Sequence, residues 1–282
     1  MKAGLILALL LAFVGGPLHA QSFSPQDGQA AARLRLDARL TEDGDAIGSG
    51  LVWRVFGDRP QEDGTYPLIA TARGGTADLE LPSGRYLVHV AFGRAGATTR
   101  VDVGADGARQ TMVLDAGGLE LDATSAGQPI RDGLLRFSIY ELEADLAGER
   151  RLIALNVRPG EVLRLNAGTY HVLSRFGTIN ATVRADLQVK AGRLTKATLQ
   201  HRGAEVSLRL VSQPGGDAIA NTSWTVLTQD GQQVFASSLV SPSLVLAEGT
   251  YEVVARNGEK VHRLNFKVSP GLTQRVEVPI SG

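Results

Sequence analysis

The sequence predicts an all-β fold made of three tandem β-sandwich units of about seven short strands each. One motif recurs three times at nearly equal intervals, and apolar residues alternate with polar ones along most of the chain. Turn residues interrupt this alternation about every ten residues, which is typical of hairpins. The chain has 282 residues and 33 glycines, as expected for a fold that reverses direction often.

The recurring motif is Gly-x-Tyr followed by six residues and a second glycine. Its copies begin at Gly84, Gly168 and Gly249, at offsets of 84 and 81 residues. The tyrosines and closing glycines are Tyr86 and Gly93, Tyr170 and Gly177, and Tyr251 and Gly258. Because each offset is close to the size of one seven-stranded sandwich, each copy marks one unit.

The repeat extends on both sides of this motif. An alternating strand precedes each copy and further alternating strands follow it, so the predicted units are 32–116, 117–202 and 203–282. A strand with one large aromatic residue also recurs, carrying Trp53, Phe137 and Trp224. Short joints at about 115–118 and 200–204 predict a stiff rod rather than units on flexible linkers.

The N-terminal residues predict export. Residues 1–20 combine a lysine, an apolar run and a small residue before a polar stretch, as a signal peptide does. We expect cleavage after Ala20, a flexible segment at 21–31 and a periplasmic or secreted mature protein. The apolar run is shorter than the roughly twenty residues that span a bilayer. Because the chain has no cysteine, it forms no disulfide and carries no lipid on cysteine.

The composition and the missing motifs argue against several functions. Acidic and basic residues balance at 29 each, which does not favour nucleic-acid binding. The chain contains no Gly-x-Ser-x-Gly, no phosphate-binding loop and no dinucleotide fingerprint. We therefore predict no enzyme activity, no catalytic residue, no cofactor and no metal.

The repeated aromatic residues allow a structural and a ligand-binding interpretation. We predict that the three tyrosines form sandwich corners, with glycines two residues earlier supplying a turn conformation that a side chain would forbid. We predict Trp53, Phe137 and Trp224 in the core, with stacking on sugars as the alternative. Solvent exposure of Trp53, Tyr66, Tyr140 or Trp224 would favour a glycan-binding protein.

Histidines and acidic clusters offer no clear metal site. His89 and His171 lie on corresponding strands of different units, so we interpret them as solvated strand residues; His201 and His262 are isolated. The acidic run from Glu141 to Glu149 is predicted to be the longest loop of the middle unit, a hairpin tip rather than a calcium loop. Five Asp-Gly pairs, at Asp43, Asp63, Asp106, Asp132 and Asp230, predict tight turns.

The pattern of a Leu-x-Leu strand, a tight turn, Gly-x-Tyr-x-Val and a following hairpin resembles transthyretin-like or carboxypeptidase-regulatory-like β-sandwich repeats. The resemblance spans nearly all of residues 32–280 and implies Ig-like or transthyretin-like sandwiches with a supporting or binding role in bacterial envelope proteins. It assigns no functional residue in this chain.

These observations favour a non-enzymatic interaction or scaffold protein of the cell envelope. Exposed edge strands of tandem sandwiches can accept a strand from a partner, so we expect an envelope protein as the partner. The alternative is an envelope glycan or peptide bound by loops at one end of the sandwiches. A hydrolase is the third and least favoured interpretation.

Overall fold

The computed structural model describes residues 31–271 and 273–280, in which the chain is built from β-strands with one single-turn 3₁₀ helix, Asp132–Leu134. The all-β prediction is confirmed. The predicted signal peptide, 1–20, and the predicted flexible segment, 21–31, lie outside the described residues, except that residue 31 begins the first strand.

The strands divide into three sets. The first unit contains β1 (Ala31–Arg39), β2 (Leu51–Gly57), β3 (Leu68–Gly74), β4 (Ala77–Pro82), β5 (Gly84–Phe92), β6 (Ala95–Val103) and β7 (Ala108–Val113). The second contains β8 (Ala116–Ser125), β9 (Gln128–Pro129), β10 (Leu135–Ala144), β11 (Arg150–Val157), β12 (Val162–Asn166), β13 (Gly168–Phe176), β14 (Ala181–Val189) and β15 (Leu194–His201). The third contains β16 (Gly203–Val211), β17 (Thr222–Thr228), β18 (Gln233–Ser237), β19 (Ser243–Ala247), β20 (Gly249–Asn257), β21 (Lys260–Val268) and β22 (Thr273–Pro279).

All three units share one topology. The first strand of each unit lies at the centre of a three-stranded sheet, antiparallel to the strand just before the Gly-x-Tyr strand and parallel to the last, in the orders β4-β1-β7, β12-β8-β15 and β19-β16-β22. The facing sheets have the orders β3-β2-β5-β6, β11-β10-β13-β14 and β18-β17-β20-β21. The short β9 pairs with β8 as an addition to the second unit. Each unit is therefore a two-sheet sandwich.

The core of each unit consists of inward-facing alternate residues from both sheets. Trp53, Phe137 and Trp224 occupy the same position in the three units and are almost completely buried. The indole nitrogens do not lose their hydrogen bonds, because Trp53 Nε1 donates to the carbonyl of Gly75 at 2.8 Å and Trp224 Nε1 to that of Leu239 at 2.9 Å. Truncating such a ring to alanine typically costs about 3–5 kcal/mol of stability.

Each repeat tyrosine makes the same corner contact. Its hydroxyl donates to the carbonyl four residues earlier, at 2.7 Å for Tyr86, 2.8 Å for Tyr170 and 3.0 Å for Tyr251. Burial raises the pKa of Tyr86 and of Tyr170, so these hydroxyls stay protonated as donors. The bond fixes the point where the chain leaves the three-stranded sheet and enters the other one.

The glycines two residues before these tyrosines do not have the predicted role. The backbone of Gly84, Gly168 and Gly249 does not adopt a positive φ, so the prediction of a forbidden turn conformation is wrong. A Cβ atom at each position would meet the ring of its own tyrosine at 3.5–4.0 Å, which is ordinary contact distance. Positive φ occurs instead at the closing glycines, with 64° at Gly93 and 72° at Gly177.

The predicted joints at 115–118 and 200–204 are shorter in the structure. Two residues, 114 and 115, separate β7 from β8, and Arg202 alone separates β15 from β16. The prediction was too long because the first strand of each following unit pairs from its first residue: Ala116 with Asn166, and Gly203 with Ala247.

Direct contacts also join the first and second units. The hairpin between β5 and β6 lies against β12, where Arg94 N donates to the carbonyl of Arg164 at 2.9 Å. The Arg164 guanidinium lies 4.4 Å from the centre of the Phe92 ring. The Asn166 amide accepts from Gly96 N at 3.2 Å and donates to the carbonyls of Gly96 and Leu114.

The second joint repeats this arrangement. The hairpin between β13 and β14 lies against β19, and Val245 of that strand packs into the core of the second unit. Asn180 accepts from Ala247 N and donates to the hydroxyl of Tyr251, both at 2.9 Å. Ser125 Oγ donates to the carbonyl of Gly203 at 2.6 Å. Neighbouring units are thus held by packing and hydrogen bonds as well as by the chain.

Candidate interaction surface

The second unit differs from its neighbours by the long hairpin of β10 and β11. The acidic run beginning at Glu141 lies at a hairpin, as predicted, but the predicted loop is too long because β10 continues through Ala144 and β11 resumes at Arg150. Only residues 145–149 form the turn. Pairing of Tyr140 with Leu152 and of Ala144 with Arg150 holds the extension together.

Two acidic side chains of this hairpin, Glu141 and Asp145, make contacts within it. Asp145 Oδ1 accepts from the backbone nitrogens of Ala147 at 2.9 Å and Glu149 at 2.8 Å, which shapes the turn. Glu141 forms an ion pair with Arg151 across the strands, and this hydrogen bond lowers the pKa of Glu141. Among the described residues, no group of three or more His, Asp or Glu side chains is placed to hold a metal ion.

Apolar side chains are exposed along the same hairpin. Leu146 at the tip is fully exposed, and Leu152 and Leu155 on β11 are 45% and 53% exposed. β11 is an edge strand, and its pairing with β10 shifts register near Asn156, which has a φ of 58°. Soluble proteins commonly protect such edges with charges or proline. An open edge carrying leucines is therefore the strongest candidate for a protein contact.

The outer face of the same sheet carries a shallow cleft. Register places Tyr140, His171 and Asp186 side by side across β10, β13 and β14, and Leu173 beside Arg184 in the next row. His171 Nδ1 lies 2.7 Å from Asp186 Oδ1, and its ring centre is 6.5 Å from that of Tyr140. The cleft has a volume of about 200 Å³ and is lined by Tyr140, Arg150, His171, Leu173 and Arg184.

This cleft was not found from the sequence. His171 and Arg184 lie on successive strands of one hairpin, and only the register of β13 with β14 shows that they share a face in neighbouring rows. A signal was available in the repeat alignment, because the third unit has Glu252 and Arg263 at the same two positions.

The tryptophans lie in the core, as predicted, and do not form the alternative stacking platform for sugars. Both tryptophans are buried, while Tyr66 and Tyr140 are half-buried. Tyr140 lines the cleft on the outer sheet face.

The histidines fall into two classes. His89 and His171 are half-buried on outer sheet faces, in different units. His89 Nδ1 lies 2.9 Å from Thr98 Oγ1, and burial, followed by the charge of Arg54, lowers the pKa of His89. His201 and His262 are buried, which the sequence pattern did not reveal.

A buried serine and histidine pair lies near the second joint. Ser174 Oγ is 2.8 Å from His201 Nε2, and both side chains are almost inaccessible to solvent. Burial lowers the pKa of His201 to about 4, so the ring is neutral at physiological pH. The pair resembles a nucleophile with its base only in composition, because a substrate would have to enter the packed core to reach it.

A second cleft belongs to the first joint. Its volume is about 340 Å³, and it is lined by the residues 47–50 loop, Phe92, Gly93 and Arg164. Because Arg164 already lies over the Phe92 ring, this cleft is the open side of the contact between units.

No helix in the described part of the chain is long enough and apolar enough to span a membrane.

Comparison with known proteins gives one family match. The sequence model of a family described as the Rhizobiales growth-associated tandem repeat domain matches residues 205–280, which lie in the third unit. No curated protein matches the chain.

Solved structures that are similar to this chain include a Bacillus anthracis protein and bacterial pilins. The Bacillus anthracis TIE protein is 16% identical with a TM-score of 0.24, over 89% of this chain and 50% of that one. The minor pilin of Streptococcus agalactiae is 11% identical with a TM-score of 0.30, over 60% of this chain and 95% of that one. The major pilin subunit of Bacillus cereus is 10% identical with a TM-score of 0.23, over 89% of this chain and 100% of that one. This chain thus spans half the length of the TIE protein.

Proposed function

We propose that the protein is an exported, non-enzymatic cell-envelope protein that holds a partner protein on the open edge of its second unit. The observation that carries the proposal is β11, an edge strand with Leu152 and Leu155 half-exposed beside the fully exposed Leu146. An extended partner segment can add to such an edge through backbone hydrogen bonds, while apolar side chains provide specificity. The partner expected here is therefore an envelope protein with an exposed extended segment that carries apolar side chains.

The position of this edge supports a scaffold role. The second unit contacts both neighbours, through Asn166 on one side and Asn180 on the other. Tandem units that contact only their neighbours form extended supports for binding surfaces. The first and third units would then set the distance and orientation at which the edge meets its partner.

Export is supported by the predicted signal peptide at residues 1–20. A periplasmic or secreted location follows from that prediction. The family matched by the third unit is described as growth-associated in Rhizobiales. The partner that we propose is therefore a protein that takes part in growth of the cell envelope. The resemblance of the repeat to carboxypeptidase-regulatory-like and transthyretin-like modules supports the same non-catalytic role.

In-cell photocrosslinking tests the proposal. A photoreactive residue at Leu155 on β11 should give one dominant envelope-protein adduct, identified by mass spectrometry. The matched control is Ala236, which is exposed in the corresponding stretch of the third unit's edge strand, β18. Ala236 should not give that adduct.

Two outcomes would overturn the proposal. Identical adducts from Leu155 and Ala236 would show that the second unit has no special role, and no protein adduct from Leu155 would exclude the edge as a contact. Turnover of generic ester, glycoside or peptide substrates by the purified protein would exclude the non-enzymatic role.

A further inference from the structure

We propose that the cleft on the outer sheet face of the second unit binds an oxyanion, a carboxylate or phosphate carried by a small ligand or an envelope glycan. The site shares Arg150 with β11 but lies on the outer face of the sheet rather than along its open edge, and it goes beyond the function proposed above.

The cationic side chains of the cleft are not neutralised. Within the described part of the chain, no carboxylate lies within ion-pair distance of Arg184 or Arg150. Arg150 Nε donates to the carbonyl of Leu142 at 2.9 Å, which anchors the guanidinium and leaves its terminal nitrogens available. Arginine presents several donors in a planar fork that matches carboxylate and phosphate oxygens.

In the third unit, the arginine on the corresponding sheet face is neutralised by a carboxylate. Arg263 pairs across the strands at the position that Arg184 has in the second unit. Its guanidinium lies 3.1 and 3.2 Å from the two carboxylate oxygens of Glu252. In the second unit the residue at the position of Glu252 is His171, so the equivalent arginine keeps its free charge.

The acidic group of the cleft is already engaged. Asp186 lies 2.7 Å from His171 Nδ1, which orients the ring beside Tyr140. Arg175 is exposed on the same face, one row beyond Leu173 and Arg184, and adds a further positive charge. The face therefore presents more cationic than anionic groups, although the whole chain is electrically balanced.

The two rings indicate which ligand fits better. Tyr140 and His171 are half-buried and offer a partly apolar wall next to the arginines. A sugar acid can place its ring against such a wall and its carboxylate on the arginines, whereas inorganic phosphate can use the arginines alone. We expect the sugar acid to bind more tightly.

Titration of the mature protein by two-dimensional NMR tests the site at constant ionic strength. The probes are galacturonic acid, inorganic phosphate and, as the neutral control, galactose. Galacturonic acid should shift backbone amides in β10, β13 and β14 with a Kd of about millimolar. Shifts with phosphate alone would identify phosphate as the source of the oxyanion.

Matched variants separate a built site from general surface charge. Arg184→Gln should weaken binding by at least about tenfold, since it removes a charged hydrogen-bond donor. Arg263→Gln removes the same residue from the same position of the third unit and should leave the Kd unchanged. Both arginines are exposed, so neither variant should disturb folding.

Three results would overturn the inference: no shift at the cleft with either anion, equal shifts with galactose, or equal weakening by Arg263→Gln. Photocrosslinking from Leu155 reports on β11, whereas Arg184 lies on β14 at the opposite edge of the sheet, so the two tests can fail independently.

Discussion

Burial of His201 should make the stability of the second unit depend on pH. The side chain is 2% exposed, its Nε2 lies 2.8 Å from Ser174 Oγ, and the ring of Phe176 packs edge-on against it. Burial lowers the pKa of this imidazole from 6.5 to about 4. Lowering the pH from about 7 to about 5 should therefore favour the unfolded state, in which His201 can accept a proton.

The size of the effect follows from the two pKa values. The folded-state pKa lies below the unfolded one, so the contribution to stability is fully present above about pH 6.5 and is lost progressively towards pH 4. The loss at pH 5 is about 2 kcal/mol, and it reaches a limit of about 3 kcal/mol below pH 4. A loss of this size is a large fraction of the stability of a single domain.

Urea unfolding of the wild type and His201→Gln at about pH 7, 6 and 5 measures this effect. The glutamine can still hydrogen-bond to Ser174 but gains no proton. Because other groups titrate equally in both proteins, the difference between them isolates His201. Trp53 and Trp224 lie in the first and third units, so fluorescence reports on those units and circular dichroism reports on all three.

Two observations would refute the reasoning. The first is a difference in unfolding free energy between the two proteins that stays constant with pH. The second is a native-state NMR titration in which the His201 ring gains its proton near pH 6.5.

Three further predictions follow from the corners, the joints and the core. Tyr251→Phe should destabilise by about 1–2 kcal/mol in urea unfolding, because it removes a corner hydrogen bond and leaves Asn180 without its acceptor. Gly177→Ala should cost about 1–3 kcal/mol more than Gly258→Ala: both have positive φ, but only the added Cβ at Gly177 would clash with Val245. Equal costs would argue against a packed second joint. Neutral oligosaccharides should leave tryptophan emission unchanged, because both tryptophans are buried, and a shift in emission would contradict the core placement.

The fold could be predicted from the sequence because its determinants are local and repeated. Alternation with a period of two specifies which side chains of a strand share a face, and the threefold repeat identifies the units. Trp53 and Trp224 were placed in the core for this reason, and both lie there. The corner role of Tyr86 was also visible in its position just after a turn.

Features that depend on pairing between strands could not be predicted. The arginine and histidine of the cleft meet only through the register of β13 with β14. The burial of His201 depends on how the end of β15 packs against Ser174 and Phe176. The backbone of Gly84 shows a further limit, since a glycine in a repeated motif need not have a special φ angle.

The contacts made at the two joints are not repeated at the outer faces of the first and third units. At both joints, a hairpin of one unit lies against the strand that precedes the Gly-x-Tyr strand of the next unit. Arg164 of β12 lies over the Phe92 ring at the first joint, and Val245 of β19 lies against Gly177 at the second. The corresponding hairpin of the last unit carries Asn257 in place of the phenylalanine and has open space around Gly258.

The outer face of the first unit also lacks the residue that makes the joint contact. The fourth strand of the first unit carries exposed Glu80 at the position of Arg164 and Val245, directly across from Arg33. Polar terminal repeats keep tandem arrays soluble by preventing further stacking. These two faces therefore lack the contacts that hold neighbouring units together, and we expect copies of the chain not to stack on them end to end into a fibre.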